Sequence, residues 1–299
     1  MTSPLDLRGL WLPLITPFTA ADEVDHASLA RLAHEAIDAG VAGIVALGTT
    51  GEAHALDHAE RDAVIATCSG VCAERGVGLV VGAGTYATRT TIALHEALRD
   101  VPAVVAALTV VPYYVRPSEA AIVEHFRHVA AASPVPVVAY NVPYRTGRAL
   151  GACSLLELAA IPGIAGVKQA VGAVDPDTLE LLAGAPDGFD VLCGDDLYIL
   201  PTVLLGGAGA IAAAAHVATD RFAALVECGL HGKLDDGRGH AEALLPLVQA
   251  LFAEPNPAVI KGVLHAQGRI RTPALRGPMG AASEASVAAA LSAASEAAV

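Results

Sequence analysis

"IPGIAGVKQAVGA" (Ile161–Ala173) sets a lysine, Lys168, inside a run that is otherwise almost entirely apolar. Residues 164–168 are too short for a helix and do not alternate as a half-exposed strand would. They read as a parallel strand buried on both faces. Most lysines keep the ammonium in water and pack only the stem. This chain has three lysines, at 168, 233 and 261, and fifteen arginines, so lysine is not its usual surface filler. A site that needs a titratable amine cannot use a guanidinium, which stays protonated. A strand-end lysine snorkelling to solvent is the competing reading, and the rest of the chain decides between them.

Seven further runs share the pattern: Gly9–Leu14, Ala42–Leu47, Gly78–Gly82, Ala103–Val110, Val135–Tyr140, Phe189–Cys193 and Gly209–Ala213. Amphipathic segments separate them. Asp57-x-x-Glu60 and Ser154-x-x-Glu157 read as capping boxes, Pro117-Ser118-Glu119 as a helix start and Gly40 as a helix stop. Leu197–Ala215 is uncharged over its length, but Pro201, Gly206, Gly207 and Gly209 break it into helix, turn and strand rather than a membrane span. Eight strands with intervening helices predict an α/β fold, a (β/α)8 TIM barrel. A doubly wound sheet is the competitor, yet no Gly-x-Gly-x-x-Gly follows the first run. Beyond about Thr219 only helical patterns remain. The expected organisation is a barrel over 1–230 and a C-terminal helical extension over 231–299.

Composition narrows the function. Hydrophobic residues make up 54% and charged residues 16%, which excludes disorder. The net charge of −13 without a basic run argues against nucleic acid or an anionic membrane as partner. Cysteines 68, 72, 153, 193 and 228 lack disulfide or zinc spacing, and no leader pattern opens the chain. The expectation is a soluble, cytoplasmic protein with reduced thiols.

Chemistry in such a barrel gathers where strands end and the following loops begin. The second run leads into "GTTGEA" (Gly48–Ala53) and the fourth into "TVVPYYVRP" with Tyr113 and Tyr114. The fifth ends in "AYNVPYRTG" with Tyr140 and Arg145, the sixth at Lys168 and the seventh at "CGDD". A lysine with an ordinary pKa of ~10.4 is neutral only about once in 2500 molecules at pH 7, and burial disfavours the ammonium. A neutral amine in a pocket attacks a ketone to form a Schiff base. The turn at Gly48–Gly51 offers N–H groups and hydroxyls to a carboxylate, strand-end tyrosines can move protons, and Arg145 can grip a second carboxylate. His54/His58 and His125/His128 lack partners for a metal set and read as surface or core residues. Asp195-Asp196 fits a metal pair or a structural role equally. Cys193 has no base beside it. Lys233 and Lys261 are expected to be solvated.

Together "GTTGEA", "TVVPYYVRPSE", "YNVPYRTG", "GVKQA", "GDD", the glycine-rich eighth run and "EPNPAVIK" resemble the class I aldolase family of dihydrodipicolinate synthase and N-acetylneuraminate lyase. The resemblance spans nearly the whole chain. It implies that Lys168 captures pyruvate as a Schiff base and Tyr140 transfers protons beside it. Thr49 and Tyr114 complete a relay, Tyr114 reaching into a neighbouring site of a homotetramer built from tight dimers. Thr50, Gly194 and Ile211 would contact substrate, and Arg145, which favours the synthase branch, would receive the carboxylate of aspartate semialdehyde. No metal or organic cofactor is implied. Gln169 departs from the family's usual glutamate, Ala212–His216 from a more polar segment, and "RTPALRGPMG" from the usual tail. These changes keep open a related aldolase or dehydratase acting on a 2-keto-3-deoxy sugar acid or another 2-oxo acid, and a non-catalytic 2-oxo-acid-binding paralogue. Family members inhibited by lysine carry asparagine and glutamate at the positions of Tyr86 and Thr90, with His58 and Tyr113 nearby, so lysine inhibition is expected to be weak or absent.

Overall fold

A computed structural model describes residues 5–297. Its elements alternate as β1 (Gly9–Pro13), α1 (His26–Asp38), β2 (Gly43–Ala46), α2 (His58–Arg75), β3 (Gly78–Gly82) and α3 (Thr88–Glu96). The second half continues with β4 (Val104–Val110), α4 (Glu119–Ala132), β5 (Val137–Asn141), the short α5 (Pro143–Thr146), α6 (Ala152–Ala159) and β6 (Ile164–Gln169). Then come α7 (Pro176–Gly184), β7 (Asp190–Cys193), α8 (Ile199–Leu204), β8 (Gly209–Ile211), α9 (Thr219–Leu230), α10 (Leu234–Leu251), α11 (Ala258–Ala266) and α12 (Glu284–Ala297). All eight strands pair in parallel and β8 closes on β1, giving a barrel without a free edge.

The apolar runs are apolar because each strand is covered twice. Leu7, Trp11, Val45, Val80, Leu108, Val138 and Ile211 fill the barrel interior, and the opposite strand faces pack beneath the helices. The Leu197–Ala215 stretch is α8, a turn and β8, and no described helix is long and apolar enough to cross a membrane. Two helices start where their capping residues predict. Asp57 and Glu60 form a reciprocal capping box on α2, and the Ser118 hydroxyl accepts the Ala121 N–H of α4. Ser154 does not cap. Gly151 precedes α6, while Ser154 lies in the first turn and donates to Glu119 at 2.7 Å. The Glu119 carboxylate, which also accepts the Gly151 N–H, replaces the expected box.

The last helices share a core with the first half of the barrel. Leu244, Leu247 and Leu251 of α10 and Val259, Ile260 and Val263 of α11 cluster with Leu29, Leu32 and Val64. Lys261 is the main correction to the sequence reading. It is fully buried rather than solvated, ion-paired with the equally buried Glu52 and 4.1 Å from the Phe18 ring centroid. Its ammonium also donates to the Ala274 carbonyl at 2.9 Å. Burial lowers its pKa to about 8 despite the carboxylate beside it.

Three histidines are buried with fixed partners. His95 bonds Ser133 and Thr109, His125 bonds Thr88, and the Nε2 of His216 accepts the Ile15 N–H. Burial lowers each to about 4. Below about 6.5 the unfolded chain therefore takes up protons that the folded chain refuses until pH 4, so stability is lost as the pH falls through that window. Linkage gives ~2 kcal/mol per histidine at about pH 5, opposed by Asp196, whose carboxyl is raised to about 6. Urea midpoints are expected to fall clearly between pH 7 and pH 5. An unchanged midpoint would show that these imidazoles are not held neutral.

Candidate active site

The C-terminal ends of the strands surround a cavity of ≈ 310 Å3. Lys168 enters it from the end of β6, directly across the ladder from Tyr140 on β5, with its Nζ 4.6 Å from the Tyr140 ring centroid. Thr49 and Thr50 follow β2 in one 3-10 turn, and Arg145 stands in the short helix after β5. Gly194 and Ile211 complete the wall from β7 and β8. Seven of the eight residues singled out from the sequence thus meet at one cavity. The eighth, Tyr114, does not line it. It sits beyond β4 at φ +68°, with 86% of its surface exposed.

The electrostatics follow from burial. Desolvation holds the Lys168 ammonium below its ordinary pKa, while Asp196, Tyr144 and Asp195 pull the other way. The same dry surroundings push both aspartates up, Asp196 to about 6. Each carboxylate is anchored to the backbone: Asp195 accepts the Gly172 N–H and Asp196 the Ala214 N–H, both at 2.7 Å. Both are thereby held in place at the cavity wall, and no described group of three His, Cys, Asp or Glu side chains could hold a metal ion. Burial raises the Tyr140 phenol to about 12, against the Arg145 cation and the Thr49 hydroxyl. The Cys193 thiol is likewise pushed up to about 12, so it is no nucleophile at neutral pH.

Behind these groups Gln169 bridges Asn141 at 2.9 Å and Thr178 at 3.1 Å, tying β5, β6 and α7 together through amides. Tyr144, Tyr198 and Asn256 also line the cavity and were not assigned roles from the sequence. Tyr144 belongs to the quoted "YNVPYRTG" motif, with the Arg145 guanidinium 5.2 Å over its ring. The arrangement gathers an amine whose pKa burial lowers, a phenol, two hydroxyls and a guanidinium around one cavity.

The chain belongs to the dihydrodipicolinate synthetase family, whose model matches residues 6–297. It is 39% identical over 263 residues to the 4-hydroxy-tetrahydrodipicolinate synthase of Neisseria meningitidis serogroup B, covering 88% of this chain and 89% of that one. The Salinibacter ruber enzyme of the same name is 38% identical over 269 residues, covering 90% and 88%. Among solved structures, the chloride-inhibited dihydrodipicolinate synthase of Acinetobacter baumannii complexed with pyruvate superposes with a TM-score of 0.93 at 32% identity, covering 98% of this chain and 99% of that one.

Gly194 fits only because it lacks a side chain. A Cβ there would lie 2.7 Å from the Ala170 Cβ and 2.9 Å from the Lys168 Cε. Gly194→Ala is expected to cost ~1–3 kcal/mol by overpacking and to push the lysine stem aside. A denaturant midpoint and a Lys168 reactivity both equal to those of the parent would show that the stem has room to spare.

Proposed function

We propose that the protein condenses pyruvate with L-aspartate 4-semialdehyde to 4-hydroxy-tetrahydrodipicolinate, a step towards diaminopimelate and lysine. The observation that carries the proposal is the buried Lys168 amine beside Tyr140 in a cavity sized for two small oxo acids. Lys168 Nζ attacks the pyruvate C2, and the carbonyl oxygen leaves as water. Loss of a methyl proton turns the Schiff base into an enamine, whose terminal carbon attacks the aldehyde. The amine of the second substrate then closes on C2 and releases Lys168. Tyr140 carries the protons, relayed through Thr49. The lysine is the electron sink, so the cycle calls for no metal or organic cofactor.

Thr49 and Thr50 hold the pyruvate carboxylate, with Gly194 and Ile211 shaping the wall, while Arg145 takes the carboxylate of the semialdehyde. The exposed Tyr114 supports a homotetramer of tight dimers in which it completes the relay of the adjoining protomer. Borohydride reduction in the presence of pyruvate is expected to fix one adduct, on Lys168 and not on Lys233 or Lys261. Turnover is expected with aspartate semialdehyde, and exclusive turnover of a sugar acid would overturn the substrate assignment. Tyr140→Phe should slow turnover by roughly 10²–10⁴-fold. Arg145→Ala should raise the KM of the aldehyde far more than that of pyruvate; an equal rise would make it a loop-holding residue.

Lysine is expected to inhibit weakly or not at all. Behind the Thr49–Tyr140 wall a cavity of ≈ 440 Å3 contains Thr85 and Tyr113, with Tyr86 stacked edge-on against Tyr113 at 5.5 Å. Its charged groups are the guanidiniums of Arg61 and Arg145, and among the described residues Arg61 bonds to the Ala53 and Gly82 carbonyls and to no carboxylate. A lysine ammonium would meet a cation there instead of a carboxylate, and losing a charge-assisted hydrogen bond costs ~1.5–3 kcal/mol. Half-maximal inhibition by sub-millimolar lysine would contradict this.

A further inference from the structure

The turn that carries Thr49 and Thr50 is held from the far end of the chain. Asn256, between α10 and α11, is buried and donates from Nδ2 to the Thr50 Oγ1 at 2.9 Å. Two residues beyond Thr50, the Glu52 carboxylate is paired with Lys261 and accepts the Arg276 N–H at 3.0 Å. The Thr16 hydroxyl fixes the Gly51 carbonyl at 2.7 Å. These contacts settle where the turn sits, but among the described residues only Asn256 bonds to the Thr50 hydroxyl. Asn256 also faces the cavity, and its Oδ1 has no partner among the described residues.

A hydroxyl has one proton to give and two lone pairs to offer. When an amide N–H occupies a lone pair of Oγ1, the Thr50 proton is free to turn elsewhere, and the open direction is the cavity. We propose that Asn256 is a positioning residue for capture of the first substrate's carboxylate. By donating to Thr50 it aims the Thr50 O–H at the anionic end of pyruvate. The inference rests on the reading that Lys168 captures pyruvate at this site. It adds that the helical layer following the barrel sets the hydrogen-bond polarity of the capture site. In the opposite sense, Thr50 would give its only proton to Asn256 and present a bare lone pair to an anion, which repels it.

Substitutions separate the two senses. In Asn256→Asp a carboxylate of nearly equal volume can only accept, so it draws the Thr50 proton away from the cavity. In Asn256→Ala the hydroxyl loses its partner and rotates freely. The full-length protein is titrated with pyruvate, borohydride trapping on Lys168 is read by intact mass, and steady-state constants are measured for both substrates. The pyruvate half-saturation is expected to rise at least ~10-fold in Asn256→Asp and ~3–10-fold in Asn256→Ala. The KM of the aldehyde should change less than ~3-fold, because that substrate's carboxylate is held by Arg145. In a Thr50→Val background, Asn256→Ala should add less than ~2-fold, since the hydroxyl it orients is gone.

Equal factors in both backgrounds would overturn the inference, as would a parallel rise in both KM values with a fall in kcat, the mark of a merely structural role. An Asn256→Asp variant that holds pyruvate as well as the parent would reverse the donor sense and also overturn it. If the unsubstituted protein traps no pyruvate on Lys168, the proposed function falls together with it. If trapping is normal and the variants match the parent, only the role of Asn256 falls.

Discussion

An amine buried beside two carboxylates sets the terms for this site. Asp195 and Asp196 would favour the Lys168 ammonium if water reached all three groups. Burial counters them by making every charge in the pocket costly, so the lysine moves down while the aspartates move up. The backbone N–H groups of Gly172 and Ala214 then occupy the aspartates, which keeps either from swinging onto the amine. The closed barrel is the means of exclusion, since parallel pairing all round leaves no polar edge through which water could enter from the side.

The second constraint is that strand ends alone do not finish the pocket. Val248 and Gln249 of α10, Phe252 at its C-terminal cap and Asn256 beyond it roof the cavity. The attachment of this layer is partly ionic: Lys261 reaches Glu52 through a space it shares with Phe18, and Arg276 bridges Asp22 and Glu60. A buried pair of this kind fixes geometry more surely than it adds stability, because desolvation offsets much of the attraction.

The sequence carried the barrel because strands covered on both faces leave a nearly unbroken apolar trace. Its errors were local. The fifth strand begins at Val137 and not at Val135, since the Ser133 hydroxyl turns back to the Val135 carbonyl before pairing starts. The eighth strand stops at Ile211 because the chain then turns inward to place Ala213 on the cavity wall. Of the site residues, those at strand ends were legible, as position and residue type agree there. Lys261 was legible by the same sign that exposed Lys168, an apolar neighbourhood in Ile260, Val259 and Val263, but its helical setting suggested a solvated face. Asn256 gave no such sign. It lies between two prolines in a segment without periodicity, and its partner is 206 residues away.

That separation also orders the protein's assembly in time. The Gly48–Glu52 turn is synthesised early, yet Asn256, Lys261 and the Arg276 backbone that hold it lie 206 or more residues later. A nascent chain can build its first βα units as they emerge, because their contacts are local. The turn has its own backbone bonds and the early Thr16 contact, but its hold on Asn256, Lys261 and Arg276 must wait until the last helices have left the ribosome. Glu52, held at φ +50° and fully buried in the finished protein, spends that interval without its cation. The cavity is therefore completed last, when the chain is already long enough to close it.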